Sequence, residues 1–130
     1  MIRGVFTMLN KVEIHTCKTS LEEGKEYIYI YYLTESIKDI IIENLEVSVT
    51  SYGIGIIREE ILNEKVVDTF EDRFDSVSPI KSKVLSLLNY LAKNEVSPVH
   101  MIDVIGDNID NWITDYEIEA ISRLSINAMA

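Results

Sequence analysis

The chain changes its hydrophobic rhythm once. Up to about residue 74 the apolar residues alternate, and beyond Ser78 they recur at steps of three and four. Alternation suits a pleated strand, and the longer step suits a helix. Neither half can take the other's structure without misplacing its apolar face. Strands gathered in one half and helices in the other predict an α+β domain rather than an alternating α/β one. We expect an N-terminal antiparallel sheet of four to five strands over about residues 5–74 and three short helices over about 79–126. A length of 130 residues fits one such domain.

Within the first half, residues 10–17 place Val12 and Ile14 on one side and Glu13 and His15 on the other, as in a half-buried strand. Residues 21–25 form a polar turn. Over 26–33, Tyr27, Tyr29 and Tyr31 oppose Ile28, Ile30 and Tyr32. Bulky side chains on both faces predict a strand inside the sheet. Thr34 to Asp39 reads as a polar connection, and a long strand-like stretch follows from about Ile42 to Glu60. Gly53 and Gly55 inside it suggest a bulge, a bend or a chain crossing. Residues 62–65 look like a hairpin turn, and 66–74 like a last, acidic strand at an edge.

Helix starts are marked by Ser78-Pro79 and Ser97-Pro98, a capping serine followed by a first-turn proline. Ile80, Val84, Leu87, Leu88 and Leu91 give the first apolar stripe. Val96 and Met101 form a hydrophobic staple for the second helix, with Ile102, Ile105, Ile109 and Trp112 as its buried side. Thr114-x-x-Glu117 reads as a capping box that opens a third helix, stapled by Ile113 and Ile118.

Charge narrows the functional classes. The net charge is −10, from 12 basic and 22 acidic residues. Residues 101–130 hold one basic and six acidic residues, so they carry −5 of it. Such a surface repels phosphates, and no direct nucleic-acid binding is expected. Cys17 is the one cysteine, which excludes an internal disulfide. The N-terminus lacks the sustained apolar run of a signal peptide, and no segment approaches the roughly 20 apolar residues of a membrane helix. A cytoplasmic protein without membrane contact is the expectation, and the Ile-, Lys- and Asn-rich composition suggests a bacterial one.

The strongest candidate for chemistry is the row His100, Asp103, Asp107 and Asp110, whose steps of three and four place it along one side of a helix. Histidine and aspartate bind metals and exchange protons. A straight row cannot surround an ion, however, so the same residues read first as a solvated or capping face and next as a partner surface. His15 and Cys17 are two potential metal ligands at most. Gly53-Ile54-Gly55 starts like a phosphate loop, but Arg58 stands where a third glycine belongs. No nucleophile elbow is present. Neither a cofactor nor a bound metal is expected. Tyr27, Tyr29 and Tyr31 form either the sheet face covered by the helices or a homodimer surface.

The motifs Tyr52-Gly53-Ile54, the later Ser78, and Ser97-Pro98-Val99-His100-x-x-Asp103-Val104-x-x-Asp107 resemble those of an uncharacterised family of small bacterial proteins. That family is known only as a domain of unknown function. The likeness covers roughly residues 45–110. It implies a small domain without an assigned activity, and it singles out Tyr52, Gly53, Pro98, His100, Asp103 and Asp107. Together these readings favour a non-enzymatic regulatory or adaptor protein. It would bind a protein partner through an acidic helical surface at His100, Asp103, Asp107 and Asp110, with Tyr52 as a further contact. The alternatives are a mobile-element inhibitor that imitates nucleic-acid charge and a metal-dependent enzyme.

Overall fold

A computed structural model describes residues 9–129, with side chains for residue 19 and residues 21–125. Four strands, β1 (Leu9–Glu22), β2 (Lys25–Ile42), β3 (Leu45–Leu62) and β4 (Lys65–Ser78), form one antiparallel sheet in chain order. Each neighbour follows through a two-residue hairpin. Glu23-Gly24, Glu43-Asn44 and Asn63-Glu64 all have positive φ at both positions. That is the turn whose twist matches the twist of paired strands. Two helices follow, α1 (Lys81–Lys93) and α2 (Met101–Met129), with a 3-10 turn over Pro98–His100 between them.

The α+β order holds, with the sheet first and the helices after it. Three expectations need correction. Thr34 to Asp39 is no connection: it continues β2, with Thr34 paired to Gly53 and Asp39 to Ser48. The actual turn is Glu43-Asn44, so the long second stretch begins at Leu45. There are two helices among the described residues, not three, because α2 runs through Gly106 and Thr114 without a break. Its anchors explain the continuity. Met101, Ile105, Ile109, Trp112, Tyr116, Ala120 and Leu124 all pack inward, and they are spaced almost wholly at steps of four. Thr114 and Glu117 lie exposed in the helix interior, as do the supposed staple residues Ile113 and Ile118.

Capping also differs in detail. The Ser78 hydroxyl accepts a hydrogen bond from the Ile80 N–H at 3.0 Å. It therefore shapes the approach to α1, which starts only at Lys81 and has Ile80 at its cap position. Ser97 caps the 3-10 turn without a side-chain bond. Helix α1 ends in a Schellman motif. The Val96 N–H bonds the Leu91 carbonyl at 3.0 Å and the Glu95 N–H bonds the Ala92 carbonyl at 3.1 Å. Glu95 sits at the left-handed position of this motif, with φ of 50°.

The main core fills the space between one sheet face and the helices. Tyr29, Tyr31 and Leu33 of β2 and Ile54 and Ile56 of β3 meet Val84, Leu88 and Leu91 of α1 and Met101 and Ile105 of α2. The Tyr31 hydroxyl donates to the Val96 carbonyl at 2.9 Å, which ties the sheet to the interhelix connection. The tyrosine row of β2 is thus the face that the helices cover, and no homodimer can use Tyr29 or Tyr31 while the helices are docked. Ile80 and Ile102, both expected in buried stripes, are exposed.

Beyond Ser36 and Ser51, β2 and β3 pair only with each other among the described residues, as a two-stranded ribbon. Here a second cluster forms from Val47, Val49, Tyr116 and Ala120, with Ile40, Ile42 and Leu124 packed against it. Side chains alternate along an unbroken register, so Ile40 and Val49 lie on the side opposite Leu33 and Ile54. Helix α2 therefore serves one sheet face with its first half and the other with its second. It passes the end of β4 on the way. There the Asp115 carboxylate accepts from the Ser78 hydroxyl at 3.0 Å and from the Lys83 ammonium at 2.8 Å. The Ser51 and Tyr116 hydroxyls pair at 2.7 Å just beyond.

Both glycines of β3 mark close approaches. A Cβ on Gly53 would stand 2.2 Å from the Phe74 carbonyl oxygen, where β3 and β4 shift register. A Cβ on Gly55 would stand 2.0 Å from the Tyr32 ring. That ring crosses the vacant position so that its hydroxyl bonds Glu71 of β4.

Candidate functional site

Helix α2 has an outer surface as well as its two packed ones. Asp103, Asp107 and Asp110 are exposed there, opposite the buried Met101 and Ile105. Steps of four and three continue the row through Thr114, Glu117 and Ile121, all exposed. Apolar side chains flank it, with Ile113 at 59% and Ile118 at 65% exposure. Like charges a turn apart repel each other by a few tenths of a kcal/mol. Exposed isoleucines gain nothing from burial. The outer surface therefore contributes little to the stability of the isolated chain.

The expected row does not stay together. His100 belongs to the 3-10 turn and lines a cavity, while the three aspartates face outward along α2. Tyr52 lies elsewhere again. It is partly buried at the margin of the main core, with the Lys81 ammonium 6.0 Å from its ring centre. Among the described residues, no group of three His, Cys, Asp or Glu side chains is arranged to hold a metal ion. His15 and Cys17 lie outside the described side chains.

The cavity beside His100 has a volume of about 400 Å³ and opens to solvent. Glu22 at the end of β1, Tyr29 on β2 and Arg58 on β3 form its sheet wall. Glu95, Ser97 and His100, from the connection between the helices, form the other. Tyr29 and Arg58 are direct cross-strand partners, so their side chains share a face. The Tyr29 hydroxyl donates to a Glu22 carboxylate oxygen at 3.1 Å. Burial, reinforced by Glu22, raises the pKa of this phenol, and Arg58 partly opposes the rise. The Arg58 guanidinium lies 5.0 Å from the centre of the Tyr27 ring, within cation–π range. Acid, phenol and guanidinium thus form one linked set along the cavity wall.

The sequence singled out His100 as a candidate site residue and Tyr29 only as part of a tyrosine face, and it did not connect the two. Glu22, Arg58 and Glu95 come from three separate segments, and no local spacing connects them. One signal existed: Arg58 closes the apolar run Ile54-Gly55-Ile56-Ile57, where a charge needs a reason.

A family model described as a family of unknown function (DUF6514) matches residues 10–111. The match covers β1 from its second residue, the other three strands and α1, and it ends within α2. No curated protein matches the chain, and no solved structure does.

Proposed function

The chain belongs to the DUF6514 family, whose function is unknown, and we propose for it a non-enzymatic role as a regulatory or adaptor protein. It acts in the bacterial cytoplasm by binding a protein partner along the outer surface of α2. The observation that carries this reading is the composition of that surface, where Asp103, Asp107, Asp110 and Glu117 run beside exposed Ile113, Ile118 and Ile121. Acidic residues alone would be explained by solubility, and isolated isoleucines by chance. Interleaved on one continuous surface, they match a partner segment that is both basic and amphipathic, such as a helix with a Lys/Arg edge and an apolar stripe. Charge would then steer the encounter, and the isoleucines would supply the buried area.

The test is affinity capture with three forms of the protein, each confirmed as folded by circular dichroism. These are wild type, Asp103→Lys/Asp107→Lys and Ile118→Ser/Ile121→Ser. We expect wild type to retain a protein with a basic amphipathic segment. A synthetic peptide of that segment should bind wild type, and both variants should lose it. Binding of the peptide that is indifferent to both variants would refute this surface as the docking site.

A further inference from the structure

We propose that the cavity between the sheet wall and the interhelix connection is a binding site for a small zwitterion of the α-amino acid class. The site is distinct from the outer surface of α2 and does not depend on the role proposed for it. Three observations carry the inference.

The first is the state of Arg58. Its guanidinium is held over the Tyr27 ring and against the Tyr29 phenol. Among the described residues no carboxylate stands within ion-pair distance of it. A guanidinium carries five N–H donors in a flat fork suited to a carboxylate, and stacking on an aromatic ring fixes that fork in place. An arginine set in a cavity without a carboxylate partner among the described residues is a prepared anion receptor.

The second is the distribution of charge around it. Among the described residues, Glu22 and Glu95 line the same cavity together with the basic side chains His100 and Arg58. A simple anion that reached Arg58 would also meet two carboxylates. A simple cation would meet the guanidinium. A ligand with a carboxylate and an ammonium group satisfies both sets at once. The volume of about 400 Å³ lies in the lower part of the range for small-molecule sites, which suits a compact metabolite better than a peptide.

The third is the backbone at Glu95. Its φ of 50° places a glutamate where glycine is the favoured residue. Glu95 lines the cavity, and a glycine there would bring no carboxylate to it. The hairpins also use non-glycine residues at positive φ, so this observation supports the site and does not define it.

Titration calorimetry on the full chain with each proteinogenic L-amino acid, added singly, tests the proposal. We expect saturable binding of at least one of them. The N-acetyl and the carboxamide derivatives of that amino acid should each bind on the order of tenfold more weakly, because each lacks one charge. Arg58→Gln should weaken binding similarly, and Glu95→Gln should do so while leaving the fold intact. Arg58→Lys, which keeps the charge but not the fork, should fall between wild type and Arg58→Gln. The proposal is overturned if no amino acid binds, if the N-acetyl form binds as well as its parent, or if folded Arg58→Gln binds as wild type does.

Discussion

At the scale of single residues, the two glycines of β3 show why chemically identical substitutions need not be equivalent. The position beside Gly53 is filled by the main chain of β4, which cannot withdraw without breaking the register shift between the strands. The position beside Gly55 is filled by the far end of the Tyr32 side chain, which can rotate away at the expense of its bond to Glu71. We therefore expect Gly53→Ala to lower stability by about 3 kcal/mol and Gly55→Ala by about 1–2 kcal/mol. Urea midpoints at unchanged slope give the measurement. The reverse order would mean that β4 yields more easily than the Tyr32 ring. The sequence announced a crossing or bulge at these glycines, and Gly53 and Gly55 turn out to serve two separate approaches. Their spacing could not tell a main-chain neighbour from a ring, because both exclude a side chain equally.

Among the elements, α2 departs most from what its sequence suggests. Gly106 lies in its interior, and a Cβ there would meet no atom within 4 Å. Helix interiors favour alanine over glycine by roughly 1 kcal/mol, so Gly106→Ala should stabilise the protein by about that much. A rise in thermal midpoint of a few degrees would register it, and a fall would point to a role for the glycine in helix geometry. The glycine and the Thr114-x-x-Glu117 pattern both looked like a boundary. Cap signals act only where the chain leaves the helix, and here Trp112, Tyr116 and Ala120 anchor both sides of the pattern. The opposite error occurred at β2. Glu43-Asn44 makes a hairpin without a glycine, while Thr34 to Asp39 looked like the turn because its polar residues alternate with few apolar ones. Thr34 and Ser36 are in fact buried, and Lys38 is half-buried with its ammonium 4.5 Å from the Tyr116 ring centre. Their partners come from β3 and α2, remote in sequence, and no local window could have shown them. The cavity escaped notice for the same reason, because Glu22, Arg58 and Glu95 meet only once the hairpins and helices are in place.

For the molecule as a whole, the tyrosines set a limit on the pH range of stability. Burial is the leading cause that raises the pKa of Tyr29, Tyr31, Tyr32 and Tyr116, with Tyr116 pushed up to about 12. Nearby carboxylates add to the effect, as Glu71 does at Tyr32 and Asp115 at Tyr116. Unfolded phenols ionise near pH 10. The folded state therefore holds these protons more tightly, and the stabilisation they give is complete below about pH 10 and drains away as the pH rises through the folded values. Lys38 acts in the other direction, because its burial lowers its pKa, but it is one group against four. The urea midpoint should fall as the pH rises from about 10 through about 12, with the phenolate absorbance of the folded protein lagging behind that of the unfolded chain. An unchanged midpoint would mean that these hydroxyls remain open to water.

The seating of α2 on both sides of the sheet bears on how the chain is made. Synthesis delivers the whole meander by Ser78, each strand beside the one before it. Cover for the tyrosine face arrives with α1 and the first turns of α2, and cover for Val47 and Val49 only with Tyr116 and Ala120. Without the two helices the sheet would leave both the tyrosine face and the side of Val47 and Val49 uncovered. Until residues as late as Ala120 have joined the fold, those surfaces are open to neighbouring nascent chains and to chaperones. The interval closes when the second half of one late helix settles onto the ribbon.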